Sequence, residues 1–312
     1  LVDKDFHKTL LALPTLGIVI FTLVPIFFMI LVAFTSYDKN HMPPNNLFGW
    51  VGFDNFAQLF TWSNGDTKFA MTFGQILLWT LVWAFFATFT NYFLGMLVAM
   101  LINKKGIKLK KLWRTILVLS IAIPQFISLL YVGQMFQSDG IVNNLIVKMG
   151  GTAIDFWGDP WLARITVIVI NIWIGIPYLM LVTTGILMNI PADLYESANI
   201  DGATAWQQYS KITLPYMLFV TGPYLLTSFT GNMNNFNVIY LLTGGGPSDI
   251  YMHQSANGST DLLITWLFNL AVSDSDYKLA AVIGIMVFIV VAVISLIVYN
   301  ILPSTRNEEE FQ

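Results

Sequence analysis

The chain has no cysteine and little charge. Without cysteine there is no disulfide, no thiolate metal site and no thiol nucleophile. Only 11% of its 312 residues are Asp, Glu, Lys or Arg, against roughly a quarter in soluble domains. A soluble chain so poor in charge could not cover its own surface. The net charge of −3 argues against a nucleic-acid partner. His7, His41 and His253 are the only histidines, and all lie in peripheral segments. No G-x-x-x-x-G-K-[ST] occurs, so any ATP use falls to another chain. There is no internal repeat and no low-complexity segment.

What remains is apolar: 56% hydrophobic residues and a mean hydropathy of +0.66. This composition reads as an all-α polytopic membrane protein with about six transmembrane helices in a single transmembrane domain covering residues 1–312. A span needs roughly 20 mostly apolar residues. Runs at about 10–34, 71–102, 112–136, 161–188, 216–242 and 279–301 meet that length. Pro25, Pro124, Pro177 and Pro223 fall inside them, as membrane helices tolerate. The first run is too long for a signal peptide and lacks a small-residue cleavage pattern. The chain starts at Leu1 rather than Met, so further sequence can precede it.

Sidedness follows from Lys and Arg. Lys4, Lys8, Lys104, Lys105, Lys108, Lys110, Lys111, Arg114, Lys211 and Arg306 share one side, ten of the fifteen basic residues. That side is read as cytoplasmic, with both ends of the chain on it. The Lys-rich connection is a topology anchor rather than a nucleic-acid or lipid patch. On the other side, W-V-G-F-D-N-F (Trp50 to Phe56) is a candidate interfacial helix starting near Asp54 or Asn55. Trp157 and Trp161 fit headgroup level. T-G-G-G-P (Thr243 to Pro247) reads as a turn, and the connection from Thr243 to Lys278 is the longest.

No ionisable residue falls near the middle of a run, which weakens an ion-coupled carrier. It also leaves no acid–base pair or metal set for an intramembrane enzyme. Uncharged polar residues do recur at helical spacing. Asn171, Gly175 and Tyr178 stand at i, i+4 and i+7, and Ser228, Asn232 and Asn235 repeat the pattern beside Gly231. Amides and hydroxyls can bond a neutral polyol, and an aromatic ring can cover a sugar face. Small and amide residues are also the usual glue between membrane helices, and spacing alone leaves both roles open.

The stretch from Ile190 to Pro215 is a polar island between apolar runs. Pro191 suits a first helical position, and Asp193 and Glu196 suit the positive end of a helix. Gly202 stops that helix, a second covers about 203–212, and Leu214-Pro215 marks entry to the next span. This is too much structure for a mere connection.

E-S-A-N-I-D-G-A (Glu196 to Ala203) followed by I-T-L-P (Ile212 to Pro215) resembles the cytoplasmic E-A-A loop of permease subunits of binding-protein-dependent ABC importers, with Ser197 in place of the first alanine. W-V-G-F-D-N-F, N-N-F-N-V-I-Y-L-L-T-G-G-G-P (Asn234 to Pro247) and G-S-T-D-L-L-I-T-W (Gly258 to Trp266) resemble the oligosaccharide importers. Within them the chain is most similar to the larger permease subunit of the maltose/maltodextrin importer. The resemblance implies the type I importer permease fold and a place in the bacterial cell membrane. It implies a second permease subunit, two ATPase subunits that bind ATP and Mg, and an extracytoplasmic sugar-binding protein. This chain would be no enzyme and would hold no cofactor itself. Glu196, Ser197, Ala198, Asp201, Gly202 and Ala203 would couple to an ATPase subunit. Asn171, Ile174, Gly175, Tyr178, Ser228, Gly231 and Asn232 match the family's sugar-contact positions, with Gly231 where an aromatic is found. Ala122 and Gln125 replace Tyr and Ser of the third span, and Gln125 joins the candidates. A maltodextrin is the leading substrate. A raffinose- or galactose-type oligosaccharide is the first alternative, and an ATPase-independent carrier or channel is the rival class.

Overall fold

The computed structural model describes residues 2–44, 46–60, 67–104, 106–248 and 258–301. Lys105, His253 and Arg306 lie outside them. The described chain is helical without named strands, apart from one bridge between Thr35 and Trp50. Five helices are long and apolar enough to cross a membrane: Leu10–Val32, Phe69–Asn103, Pro160–Leu187, Ala205–Thr243 and Tyr277–Ile301. The pair Lys110–Ala122 and Gln125–Met135 makes a sixth crossing only if counted together, because the two are bent by 96°.

The expected third span, about 112–136, is therefore broken at Pro124. Proline pushes the preceding residue out of the helical region, and Ile123 and Pro124 are extended, with ψ of 127° and 128°. Pro177 and Pro223, by contrast, are absorbed within their helices. Pro25 and Pro215 each follow closely on a π-helical turn, Val19–Leu23 and Tyr209–Thr213. Proline cannot donate to the carbonyl four residues back and its ring crowds it, which a wider turn accommodates. The connection after Thr243 also holds a helix the apolar runs did not predict, Leu263–Val272.

Contacts divide the chain into two units. One comprises residues up to 74 and 266–289. In it the helix Asp54–Phe60 begins where expected. Asn55 Nδ2 donates to the Ala33 and Thr35 carbonyls, both at 2.8 Å. Lys278 Nζ donates to Asp38 Oδ2 at 2.6 Å, and His41 Nδ1 lies 2.8 Å from Asp38 Oδ1. Burial alone would raise the Asp38 carboxyl. Hydrogen bonds from Lys278, His41 and the Asn40 N–H, with the Lys278 charge, hold it well below the usual carboxylate range.

The other unit comprises 75–248, 258–265 and 290–301 among the described residues. Its core gathers Trp79, Trp83, Leu129, Ile170, Ile239 and Leu262. The second and fourth spans pack closely, because Gly95 leaves no room for a Cβ against Leu179. The T-G-G-G-P stretch is more than a turn. Thr260 N–H donates to the Gly245 carbonyl at 3.0 Å, and Thr260 Oγ1 donates to that of Gly246 at 2.6 Å. Asp261 accepts from Gly258 N–H and Thr265 Oγ1, each at 2.7 Å. Arg164 Nε donates to the Ser259 carbonyl at 2.6 Å while its guanidinium lies over Trp79 and Trp161. The two motifs flanking 249–257 are thus knotted together on the second and fourth spans.

Candidate functional site: a polar loop and a cavity at a broken span

The loop after the fourth span keeps its shape by local bonds. Pro191 caps the short helix Ala192–Ile200 rather than opening it, with ψ of 130°. The helix closes at Asp201, and Gly202 adopts φ of +73°, a conformation that glycine takes without a Cβ penalty. Thr204 Oγ1 then accepts from Gln207 N–H at 3.3 Å, and Gln207 Oε1 accepts from Thr204 N–H at 2.7 Å. This capping box was legible in T-A-W-Q but not singled out. The new helix, expected over about 203–212, does not stop before the next span, whose entry at Leu214-Pro215 lies where expected. The π turn over 209–213 carries it unbroken into the fifth span. Gln208 Nε2 donates to Asn199 Oδ1 at 2.7 Å, and Tyr195 and Thr213 share a 2.8 Å hydroxyl bond. These two bonds tie the short helix to the foot of the span.

Glu196, Ser197, Asp201 and Gly202 are exposed, while Ala198 and Ala203 are half-buried. Ala198, Asp201, Gly202 and Ala203 border a recess of about 310 Å³ with Gln207, Gln208 and Lys211. Ile200, 86% exposed, and Trp206, 72% exposed, stand close to Gly202 in sequence. Such apolar side chains on an otherwise polar loop form a surface suited to being covered.

The second group centres on Pro124. A cavity of about 760 Å³ opens between the bend of the third span and the middle of the fourth. Gln125, Ile174, Gly175 and Tyr178 all line it, with Ser120, Ala122, Ser128 and Trp173. Four expected residues are therefore brought together. Trp173 is an aromatic wall that the polar spacing did not flag, since a tryptophan in an apolar run carries no signal of its own. No charged side chain lines the cavity.

The other expected residues lie elsewhere. Asn171 is 6% exposed, and its carbonyl accepts from Asn91 Nδ2 of the second span at 3.5 Å. Ser228 is half-buried, and Gly231 is exposed. Asn232 Nδ2 donates to Thr88 Oγ1 at 3.0 Å, and its carbonyl accepts from Trp83 Nε1 at 3.1 Å. Asn235 lies beyond the helix, which stops at Met233, yet its Nδ2 still donates to Asn232 Oδ1 at 3.3 Å. It also caps the next helix, Phe236–Thr243.

Residues 91–307 match the family described as the binding-protein-dependent transport system inner membrane component. The chain belongs to this family. Over 301 residues it is 38% identical to the galactooligosaccharides transport system permease protein GanP of Bacillus subtilis, covering 95% of this chain and 70% of that one. It is 37% identical over 311 residues to the maltodextrin transport system permease protein MalC of Streptococcus pneumoniae, covering 96% and 70%. It is 35% identical over 251 residues to the maltose/maltodextrin permease MalF of Escherichia coli, covering 79% and 48%. In fold it matches a chain from the crystal structure of a bacterial ABC transporter involved in import of the acidic polysaccharide alginate. The TM-score is 0.74 at 25% identity, covering 99% of this chain and 98% of that one. The permease is thus a multi-pass membrane subunit of the carbohydrate ABC-importer kind, and not an enzyme.

Proposed function

We propose that the permease forms half of the path by which a neutral oligosaccharide of the maltodextrin type is imported at the expense of ATP. The observation that carries this reading is the uncharged cavity at Pro124, where an amide, a glycine and two aromatic side chains converge. Aromatic faces and neutral hydrogen-bonding groups suit a polyol, and no basic side chain is there to meet an acidic sugar such as alginate. Asn171, Ser228, Gly231 and Asn232 join the path when the spans rearrange. The maltodextrin permeases among the relatives support the choice of sugar.

The Lys and Arg distribution supports a cytoplasmic position for both ends of the chain and for residues 192–213. There the surface around Glu196, Gly202 and Trp206 docks into one of two ATPase subunits, which hold the ATP and Mg. A homologous second permease completes the path, and an extracytoplasmic binding protein delivers the sugar. ATP drives the switch only through its differential affinity for two states of the assembly.

The test is the ATPase rate of the purified assembly, with its binding protein, on adding maltotetraose, a galacto-oligosaccharide or an alginate oligosaccharide. Stimulation by maltotetraose above the others is expected. Stimulation only by one of the others would replace the substrate, and uptake by this chain alone on an ion gradient would overturn the whole reading.

A further inference from the structure

The second span contributed no residue to the expected site, yet it holds both groups of candidate amides. Its π-helical turn Phe86–Thr90 has no proline to account for it, unlike the turns ahead of Pro25 and Pro215. Single π turns inside α-helices are frequent at functional sites. Here the Asn91 N–H donates to the Thr88 carbonyl. The Ala87 carbonyl, left without that partner, accepts from Asn91 Nδ2 at 2.9 Å.

The same side chain leans on the fourth span. Asn91 Nδ2 also reaches the Asn171 carbonyl, and a Cβ at Gly175 would collide with the Asn91 amide. Asn91 Oδ1 and Asn171 Nδ2 are both buried without a hydrogen-bond partner, an acceptor and a donor that native interiors rarely leave unused. One turn earlier, Thr88 is 2% exposed and its hydroxyl accepts from Asn232 Nδ2. A single widened turn thus fixes Asn171 and Gly175 of the fourth span through Asn91, and Asn232 of the fifth through Thr88.

We propose that Asn91 and Thr88 are positioning residues that set sugar selectivity without touching sugar. The inference rests on the reading that Asn171 and Asn232 meet the oligosaccharide. In the wide turn the Asn91 N–H bonds the Thr88 carbonyl and leaves the Ala87 carbonyl to the Asn91 amide, which fixes that side chain against the fourth span. The unused Asn171 donor, buried in this arrangement, is left to bond a hydroxyl when the spans rearrange, and the Thr88 bond sets which face Asn232 presents.

The experiment uses the assembled importer in proteoliposomes with saturating binding protein, so that capture by that protein does not limit the rate. Uptake of maltose and of maltotetraose is compared, together with sugar moved per ATP hydrolysed. Thr88→Val keeps the shape and loses the acceptor, whereas Thr88→Ser keeps the acceptor. Thr88→Val and Asn91→Leu are expected to change the ratio of the two uptake rates about fivefold, the worth of one positioned hydrogen bond, and to lower sugar moved per ATP. Thr88→Ser is expected to restore the wild-type ratio. Uptake of both sugars falling in equal proportion, or not at all, would overturn the positioning role. Should Asn91→Leu fail to assemble, the Thr88 pair decides. Asn171→Ala and Asn232→Ala separate the two levels. If they shift the ratio and the Thr88 and Asn91 variants do not, only this inference falls. If none of them shifts it, the sugar-contact reading falls as well.

Discussion

The loop after the fourth span and the cavity at Pro124 are built in opposite ways. The loop is held by bonds between residues at most 18 positions apart, such as Thr204 to Gln207 and Tyr195 to Thr213, and it turns Ile200 and Trp206 outward. The cavity exists only because the third and fourth spans meet, and Trp173 and Tyr178 line its open recess. One surface is built by neighbouring residues; the other takes shape only when distant spans pack. Damage to the first should therefore break coupling while the protein stays folded. Damage to the second should alter what is carried.

The largest effect is expected from Gly202→Val. A β-branched residue at φ of +73° carries strain of about 1–3 kcal/mol and reshapes the docking recess. Uptake should fall by about tenfold or more, with ATPase subunits lost from the purified assembly or hydrolysing ATP without transport. Glu196→Lys should come next. The side chain is exposed, so stability should change by under about 0.5 kcal/mol, while uptake per ATP falls. Normal uptake and ATPase binding in both variants would erase the loop's side of the contrast. Tyr178→Ala should lower uptake about two- to tenfold, the worth of an aromatic contact, with ATPase subunits still bound. Unchanged rates there would remove the cavity from the sugar's path. The smallest effect is expected from Thr204→Ala, which removes a cap worth about 1 kcal/mol. It should lower Tm by a few degrees with little change in uptake.

The same contrast explains how much was legible in the sequence. Spans declare themselves by hydropathy, and the loop by local signals, so both were found from composition and caps alone. Gly202 was read correctly as a helix stop because its role depends on backbone conformation. What failed was continuity. Leu214-Pro215 looks like a boundary, and Ile123-Pro124 looks like a tolerated proline. Only the neighbouring turns decide that the first pair is absorbed by a π turn and the second breaks its helix by 96°. Asn235 was assigned to a helical face because periodicity does not announce where a helix ends. Asn171 illustrates the limit at the site. Its spacing placed it with Tyr178, but the amide is buried against Asn91, 80 positions away, and no local pattern in either span encodes that pairing.

The unbroken helix from Ala205 to Met233 has a mechanical consequence. At about 1.5 Å per residue it is a rod of roughly 40 Å, with the recess beside Gly202 at one end and Asn232 at the other. Tilting such a rod by about 10° displaces its far end by about 7 Å, more than one helical turn of about 5.4 Å. The foot proposed to meet an ATPase subunit and the amide proposed to meet the path are thus two ends of one helix. On the proposed reading, movement at the first would be carried to the second along this one helix, whose π turn and two prolines are where it can bend.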